Sequence, residues 1–213
     1  MIAKPSGSRR VIALVLAAGQ SRRMGSPKQL LPYRGATFIE TVLQTVLDSS
    51  VDGLIVVANP ALHDYLTGAL PEQECSLLVN DDPASEMIRS VQIGLAAATA
   101  RHSATGNDGI MVVLADQPQI SAGIITTCAE TFRLPARAPG ILIATYRGRH
   151  GHPTIFRGDL LGEIVSWGTD RRLSELAELH PAEVRELPIT IAPLPIDVNT
   201  PEDYERLKGG ESI

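Results

Sequence analysis

The feature that most constrains this chain is an unbroken apolar run, Val11 to Leu16, that passes directly into Ala17, Ala18 and Gly19 and then into a loop bearing Arg22, Arg23, Gly25 and Lys28. A run this short and this uniformly apolar suits a strand buried on both faces of a parallel sheet, where alternation is lost. Phosphate binding makes definite demands of the loop that follows such a strand. Small residues let the backbone approach an anion closely, exposed N–H groups donate to it, and Arg and Lys neutralise it. Neither of the two common phosphate loops is present. G-x-x-x-x-G-K-[ST] fails because Pro27 precedes Lys28 and Gln29 follows it, and G-x-G-x-x-G fails because Gly19 and Gly25 lie too far apart.

The cationic loop is a local feature in an acidic chain. The formal net charge is −5, which argues against a general nucleic-acid or membrane-surface binder and favours a small anionic ligand. Apolar residues make up 44% and charged residues 20% of the 213 residues, an ordinary balance for one globular domain that buries about 70% of its unfolded surface. The expected organisation is a frayed tail over 1–10, a single domain over 11–208 and a short tail over 209–213. Cys75 and Cys128 lack metal-ligand or disulfide-framework spacing and read as free thiols of a reducing compartment. The polar opening, MIAKPSGSRR, precedes an apolar run too short for a signal core, and no segment has the length of a membrane span. A cytoplasmic protein is expected.

Patterning beyond the loop predicts alternating strands and helices. Thr37 and Glu40 form a capping-box pair ahead of helically spaced Phe38, Ile39, Val42, Leu43, Val46 and Leu47. Leu54–Ala58 and Ser76–Asn80 read as strands flanking a short helix around 61–70, so the chain begins βαβαβ, with a parallel sheet and right-handed crossovers. Asp82-Pro83 starts another helix with Met87, Ile88, Val91, Leu95 and Ala98 inward. Gly109–Leu114 is a strand with Asp116 just past its end, Ser121 caps a helix to Phe132, and Ile141–Tyr146 is a further strand. Arg147–Phe156 reads as a turn into a returning strand. Helices are expected near 159–167 and 171–179, strands near 184–187 and 194–198, and a final helix capped by Thr200-Pro201.

Ligands of open α/β sheets sit outside the carboxyl ends of the strands. The 16–28 loop, Asn80 with Asp82, Asp116, and Asp197 with Asn199 all follow predicted strands and can converge on one rim. Carboxylates beside a phosphate-binding loop would repel the phosphate unless a divalent cation separates them, and Mg²⁺ takes one or two carboxylates plus phosphate oxygens. Asp116 and Asp197 fit that demand.

LAAGQSRRMGSPKQLL, residues 16–31, resembles the L-A-A-G-x-S-x-R-M-G-x-x-K-x-L-L signature of nucleotidyltransferases related to molybdenum-cofactor cytidylyltransferase, the MobA-like NTP transferases. Leu16, Ala17, Ala18, Gly19, Ser21, Arg23, Met24, Gly25, Lys28, Leu30 and Leu31 fill every fixed position. L-A-D-Q-P at 114–118 and D-V-N-T-P-E-D-Y at 197–204 resemble further motifs of that family, as do NDDPASEMIRSVQIGL with Ser90 and Gly94, GHPTIF at 151–156, and GTDRRL with Arg172.

The resemblance implies a single-domain, Rossmann-like three-layer α/β/α fold with a mostly parallel sheet, of the nucleotide-diphospho-sugar transferase type. It implies a Mg²⁺-dependent enzyme moving CMP from CTP to the phosphate of molybdopterin with release of pyrophosphate. Arg23, Lys28 and Asp116 would be catalytic. Leu16, Ala17, Ala18, Gly19, Ser21, Arg23, Gly25, Lys28, Asn80, Ser90 and Asp116 would bind nucleotide, and Asp116 and Asp197 the metal. Gly151, His152, Pro153, Arg172 and Asn199 would face the acceptor, Asn199 being also a candidate outer metal ligand. Ala18, where guanylyl-transferring cousins carry Gly, implies CTP. A transient contact with an apo-molybdoenzyme is then expected.

Three rivals stand beside this expectation. One is a same-fold enzyme that uses GTP or acts on a sugar or polyol phosphate. Another is a dinucleotide-binding oxidoreductase, disfavoured by the glycine spacing and by Ala58-Asn59-Pro60, which offers no acid to a ribose at the end of the second strand. The last is a non-catalytic nucleotide-binding chaperone. Among other conspicuous residues, His150 and His152 lack a third ligand for zinc, Ser121 reads as a cap, and Trp167 as partial core or interface.

Overall fold

The computed structural model describes residues 9–19, 27–68, 75–82, 87–134, 139–190 and 198–209. The expected strand over 194–198 falls almost wholly outside them, as do residues 83–86, most of both tails, and the site candidates Ser21, Arg23, Gly25 and Asp197.

A seven-stranded sheet forms the centre. β1 (Val11–Ala17), β4 (Gly53–Ala58), β5 (Ser76–Val79) and β6 (Gly109–Leu114) run parallel, and β7 (Ile141–Tyr146), β8 (Arg149–Arg157) and β9 (Val184–Pro188) complete it in the order β5-β4-β1-β6-β8-β7-β9. Among the described residues β8 alone opposes its neighbours in this sheet, pairing antiparallel with both β6 and β7, while β7 and β9 are parallel. Because β8 runs backwards, its amino end shares a rim with the carboxyl ends of the other strands.

β1 is buried on both sides, as its apolar run requires. Val11, Ala13, Val15 and Ala17 face one core cluster, and Ile12 and Leu14 the other. α1 (Phe38–Leu47), α2 (Pro60–Thr67) and α4 (Ala122–Arg133) cover the first face. The second is covered by α3 (Met87–His102), α5 (Gly158–Leu161) and α6 (Glu175–Leu179). Each fully buried Leu, Ile or Phe contributes about 1.5–3 kcal/mol, so these two layers carry the stability. α3 lies against β1 at the distance a glycine permits, since a Cβ on Gly94 would sit 2.4 Å from Leu14 Cδ1.

The expected caps are present. Thr37 Oγ1 accepts from the Glu40 N–H, and Glu40 Oε2 accepts from the Thr37 N–H at 2.8 Å, which together fix the start of α1. Ser121 caps α4 through the Ile124 N–H. α7 (Pro201–Gly209) begins with reciprocal bonds between Thr200 and Asp203. It packs Leu207 beside Tyr33, Phe38 and Val198 in a small third cluster.

Several expectations are corrected. Residues 32–37 form a hairpin of two-residue strands, β2 (Pro32–Tyr33) and β3 (Ala36–Thr37), turned at Arg34 and Gly35, whose φ values are 49° and 92°. The single helix expected over 159–167 is α5 followed by a 3₁₀ turn over Gly162–Ser166, and α6 starts at Glu175, not near 171. Met87, expected inward, is 42% exposed because it stands at the rim, beyond the sheet surface that Ile88 and Val91 cover. Among the described residues no helix is long and apolar enough to cross a membrane.

Candidate functional site

The parallel strands deliver the candidates to one rim. Leu16, Ala17, Ala18 and Gly19 leave the carboxyl end of β1, Asn80 that of β5, and Asp116 that of β6. Burial relaxes outward in step: Ala17 is buried, Ala18 half-buried and Gly19 exposed. Lys28 opens a 3₁₀ turn over Lys28–Leu30, and its Nζ forms an ion pair with Asp116 Oδ2 and donates to Asn199 Oδ1 at 3.1 Å. One cation, one acid and one amide, from three distant segments, therefore meet. Side-chain exposures of 14% for Lys28 and 16% for Asp116 put the pair in a partly desolvated place, where charge interactions outweigh their aqueous strength.

Asn80 and Ser90, both 4% exposed, hold each other through an Asn80 Nδ2 to Ser90 Oγ bond of 2.9 Å. The Asn80 N–H donates to the Ala58 carbonyl, and its Oδ1 accepts from the Asp82 N–H at 3.2 Å, so the turn leaving β5 is fixed to β4 and to α3.

A cleft of about 910 Å³ is lined by Leu114 and Gln117, which flank Asp116 in sequence, and by Arg149–His152 of β8. Its opening follows from the register. Ile143 faces Thr154 but Ala144 faces Gly151, so His152 and Pro153, joined by a cis peptide bond, bulge from β8. Such a bulge bends a strand away from its partner. The floor is apolar, with Ile143, Phe156, Leu173 and Ala177, while Arg149, Arg171, Arg172 and both histidines supply the polar lining against Glu178.

Glu175 orders that basic wall. It accepts from Arg171 Nε at 2.9 Å and from the Arg172 N–H at 2.7 Å, and these bonds hold its carboxyl below the ordinary range. Arg171 also lies over the Trp167 ring at 3.7 Å. Gln92 of α3 donates to the carbonyls of Ile164 at 2.8 Å and Trp167 at 3.1 Å, tying this wall to the helix that carries Ser90.

Of the five residues expected at the acceptor, Gly151, His152 and Arg172 line the cleft and Pro153 is buried beside them. Asn199 stands instead with Lys28 and Asp116. Sequence reasoning passed over Gln29, Gln92 and Arg149, none of which has a spacing that marks it. Gln29 is 2% exposed, and its Nε2 donates to the Gly19 carbonyl at 2.9 Å and to the Ala17 carbonyl at 3.4 Å. Burial pushes the Cys75 thiol up to about 11 and the Cys128 thiol up to about 12, which leaves both protonated and out of the chemistry. His150 pairs with Glu186 at 2.8 Å, and Trp167 packs on the second core cluster.

Among the described residues no group of three or more His, Cys, Asp or Glu is placed to hold a metal. Asp116 and Asn199 do present two oxygen donors within reach of one ammonium. Oxygen donors are what hard divalent ions such as Mg²⁺ and Mn²⁺ take, with phosphate and water completing the set.

Residues 13–184 match the model of the MobA-like NTP transferase domain. The chain belongs to that family. Its relatives include the purine catabolism protein PucB of Bacillus subtilis (strain 168), 29% identical over 208 residues, covering 93% of this chain and 96% of that one. Nicotine blue oxidoreductase of Paenarthrobacter nicotinovorans is 31% identical over 160 residues, covering 73% and 75%. A crystal structure of Rv0371c from Mycobacterium tuberculosis H37Rv in complex with manganese superposes with a TM-score of 0.76 at 30% identity, over 95% of this chain and all of that one. This MobA-like chain is a member of a nucleotidyltransferase family and has its α/β fold.

Proposed function

We propose that the protein is a Mg²⁺-dependent cytidylyltransferase that moves CMP from CTP to the phosphate of molybdopterin and releases pyrophosphate. The observation that carries it is the meeting of Lys28, Asp116 and Asn199 just past β6, whose flanking residues Leu114 and Gln117 line a cleft with basic and apolar walls. The phosphate of such an acceptor suits the basic lining of the cleft, and a face of its fused rings suits the apolar floor. Ala18 favours CTP as donor, through the resemblance of L-A-A-G to the cytidylyl-transferring branch.

A phosphate monoester has its second pKa near 6 and is already largely dianionic at pH 7, so the acceptor needs no strong base. Catalysis then reduces to alignment and charge neutralisation. Backbone N–H groups of the 17–19 turn and Lys28 would hold and neutralise the triphosphate, with Arg23, Ser21 and Gly25 contributing from outside the described residues. Lys28 would exchange its present partners for the charge that develops at the α-phosphate. Asp116, with Asp197 and Asn199, would hold the divalent ion, which when bound supplies Lewis-acid stabilisation of phosphate oxygens. Arg172, with Gly151, His152 and Pro153, would orient the acceptor. The cytoplasm is the expected compartment, and an apo-molybdoenzyme the expected recipient of product.

The oxidoreductase name of one relative favours a second reading, a redox enzyme with a dinucleotide. Against it, Asn59 at the end of β4 is committed to capping α2 through the Leu62 N–H at 3.0 Å. No acid there is available for a ribose.

The test incubates the protein with Mg²⁺, molybdopterin and each NTP in turn, measures pyrophosphate, and identifies the product by mass. CTP-dependent pyrophosphate release with a cytidylylated product is expected. Release only with GTP, or only with a sugar or polyol phosphate in place of molybdopterin, would move the assignment within the family. No release with any pair, together with tight NAD(P)H binding, would favour the redox enzyme.

A further inference from the structure

We propose that Gln29 is a positioning residue whose side-chain amide sets the backbone of the 17–19 turn, and through it the affinity for the triphosphate. The role rests on the nucleotidyltransferase reading above. Gln29 is a polar side chain in a place of apolar burial, 2% exposed, on the turn between Lys28 and Leu30. Burial of an amide is costly unless its hydrogen-bonding groups are used. Here its Nε2 spans back ten and twelve positions to the carbonyls of Gly19, at 2.9 Å, and Ala17, at 3.4 Å. An amide nitrogen carries two N–H donors, which is the number these two carbonyls ask for.

The Ala17 carbonyl and the Ala18 N–H belong to one planar trans peptide and point in opposite directions. Drawing that carbonyl toward Gln29 aims the Ala18 N–H away from it, to the side where half-buried Ala18 and exposed Gly19 meet solvent at the rim. The second bond holds the next carbonyl but one, so the turn is fixed at both ends of its small-residue stretch. Gln29 has a further effect on its neighbour. The turn is 3₁₀, with Leu30 and Leu31 N–H groups donating to the Pro27 and Lys28 carbonyls, so adjacent side chains diverge by about 120°. With Gln29 turned inward under the loop, Lys28 is turned out to Asp116 and Asn199. One buried amide thus organises both the N–H donors and the cation that a triphosphate would meet.

The test uses the full chain with Gln29→Leu, which removes both donors at similar volume, and Gln29→Glu, which replaces donors with acceptors. CTP and GTP, each with Mg²⁺, are the probes. Equilibrium dissociation constants, KM for nucleotide and for acceptor, kcat, and the thermal midpoint without nucleotide are measured. For Gln29→Leu, nucleotide Kd and KM are expected to rise about 10- to 100-fold, the scale of a misplaced anion site. The rise is expected to be larger for Gln29→Glu, with acceptor KM unchanged in both; the midpoint moves by a few degrees in Gln29→Leu and further in Gln29→Glu, whose buried carboxyl faces two carbonyls. Wild-type protein that binds nucleotide while both variants bind it equally well overturns the role of Gln29 and leaves the transferase reading standing. Loss of fold in both variants, or a parallel rise in acceptor KM, also overturns it, because the residue would then be structural. Failure of the wild type to bind any NTP overturns both proposals together.

Discussion

Lys28 and Asn199 meet at 3.1 Å across 171 positions of sequence, with Asp116 sharing the same ammonium. The contact joins the turn after β1, the turn after β6 and the approach to α7 in one polar knot at the rim. In this structure the Lys28 ammonium pairs with the carboxylate that the proposed mechanism gives to a metal. On the proposed mechanism a divalent cation would compete with Lys28 for the same oxygens.

Lys28→Ala is expected to keep the fold, with a thermal midpoint within a few degrees of wild type, because the side chain lies on the rim and in neither core layer. Its kcat/KM for nucleotidyl transfer is expected to fall about 10²- to 10³-fold, as on loss of one preorganised charge donor. The same variant, without nucleotide, is expected to bind Mn²⁺ more tightly than wild type, read by electron paramagnetic resonance. Unchanged pyrophosphate release would remove Lys28 from the mechanism.

Arg172→Ala is expected to raise the acceptor KM by about tenfold, the scale of one charged hydrogen bond, and to leave the KM for nucleotide alone. The Arg172 side chain is 75% exposed at the cleft and its ion pairs are long, 3.8 Å to Glu175 and 4.0 Å to Glu178, so its guanidinium can turn to an incoming anion. Steady-state kinetics with each substrate varied separately checks the split.

Gly94→Ala is expected to cost about 1–3 kcal/mol, the usual range for overpacking, because its Cβ would fall 2.4 Å from Leu14 Cδ1 and 2.7 Å from Cδ2. For a domain of this size that is about 2–12 °C of thermal midpoint. Leu14→Val in the same chain shortens the side chain it strikes, and the double variant should lose less than the sum of the two single ones. Calorimetric midpoints of the four proteins close that cycle.

Asp108 predicts an acid limb of stability. Burial pushes its carboxyl up, but donations from the Thr105 N–H at 2.8 Å and the Arg10 N–H at 2.9 Å, with the Arg10 guanidinium and the Thr105 hydroxyl, outweigh burial and hold it below the ordinary value. A carboxyl with a depressed folded-state pKa stabilises fully above its unfolded pKa of about 4 and loses that contribution as pH falls through the folded value. Unfolding free energy is therefore expected to drop below about pH 4, with Asp108→Asn less stable at neutral pH and flatter on the acid side. Denaturant titrations between pH 2 and 7 measure both slopes.

Much of the fold is legible in the residues because local signals and burial agree. Ile141–Tyr146 is a strand with the bounds its apolar run suggests, and Thr37 with Glu40 caps α1 as the pair implies. The β2–β3 hairpin escaped because two-residue strands have no periodicity to detect, and only Arg34-Gly35 marks the turn. The shorter α6 reflects side-chain competition: Glu175 takes up the Arg172 N–H and Arg171, so the chain before it stays irregular. At the candidate site, Lys28 and Asp116 were visible as charged residues beside strand ends. Gln29 and Gln92 were not, because each acts on backbone carbonyls, and a carbonyl leaves no trace in the sequence that faces it.

The Arg10–Asp108 bond at 2.9 Å belongs to the opposite end of the sheet from the candidate site, where β1 and β6 begin. There Asp52 also joins the Val11 N–H to Arg133 of α4, at 2.8 and 2.6 Å. The barrel of the tool is thus riveted at its handle, while the working edge is made of turns. Substitutions that retune which donor or acceptor the turns accept can accumulate at one pole without drawing on the fasteners at the other. A family built this way can diversify its substrates and keep a common scaffold.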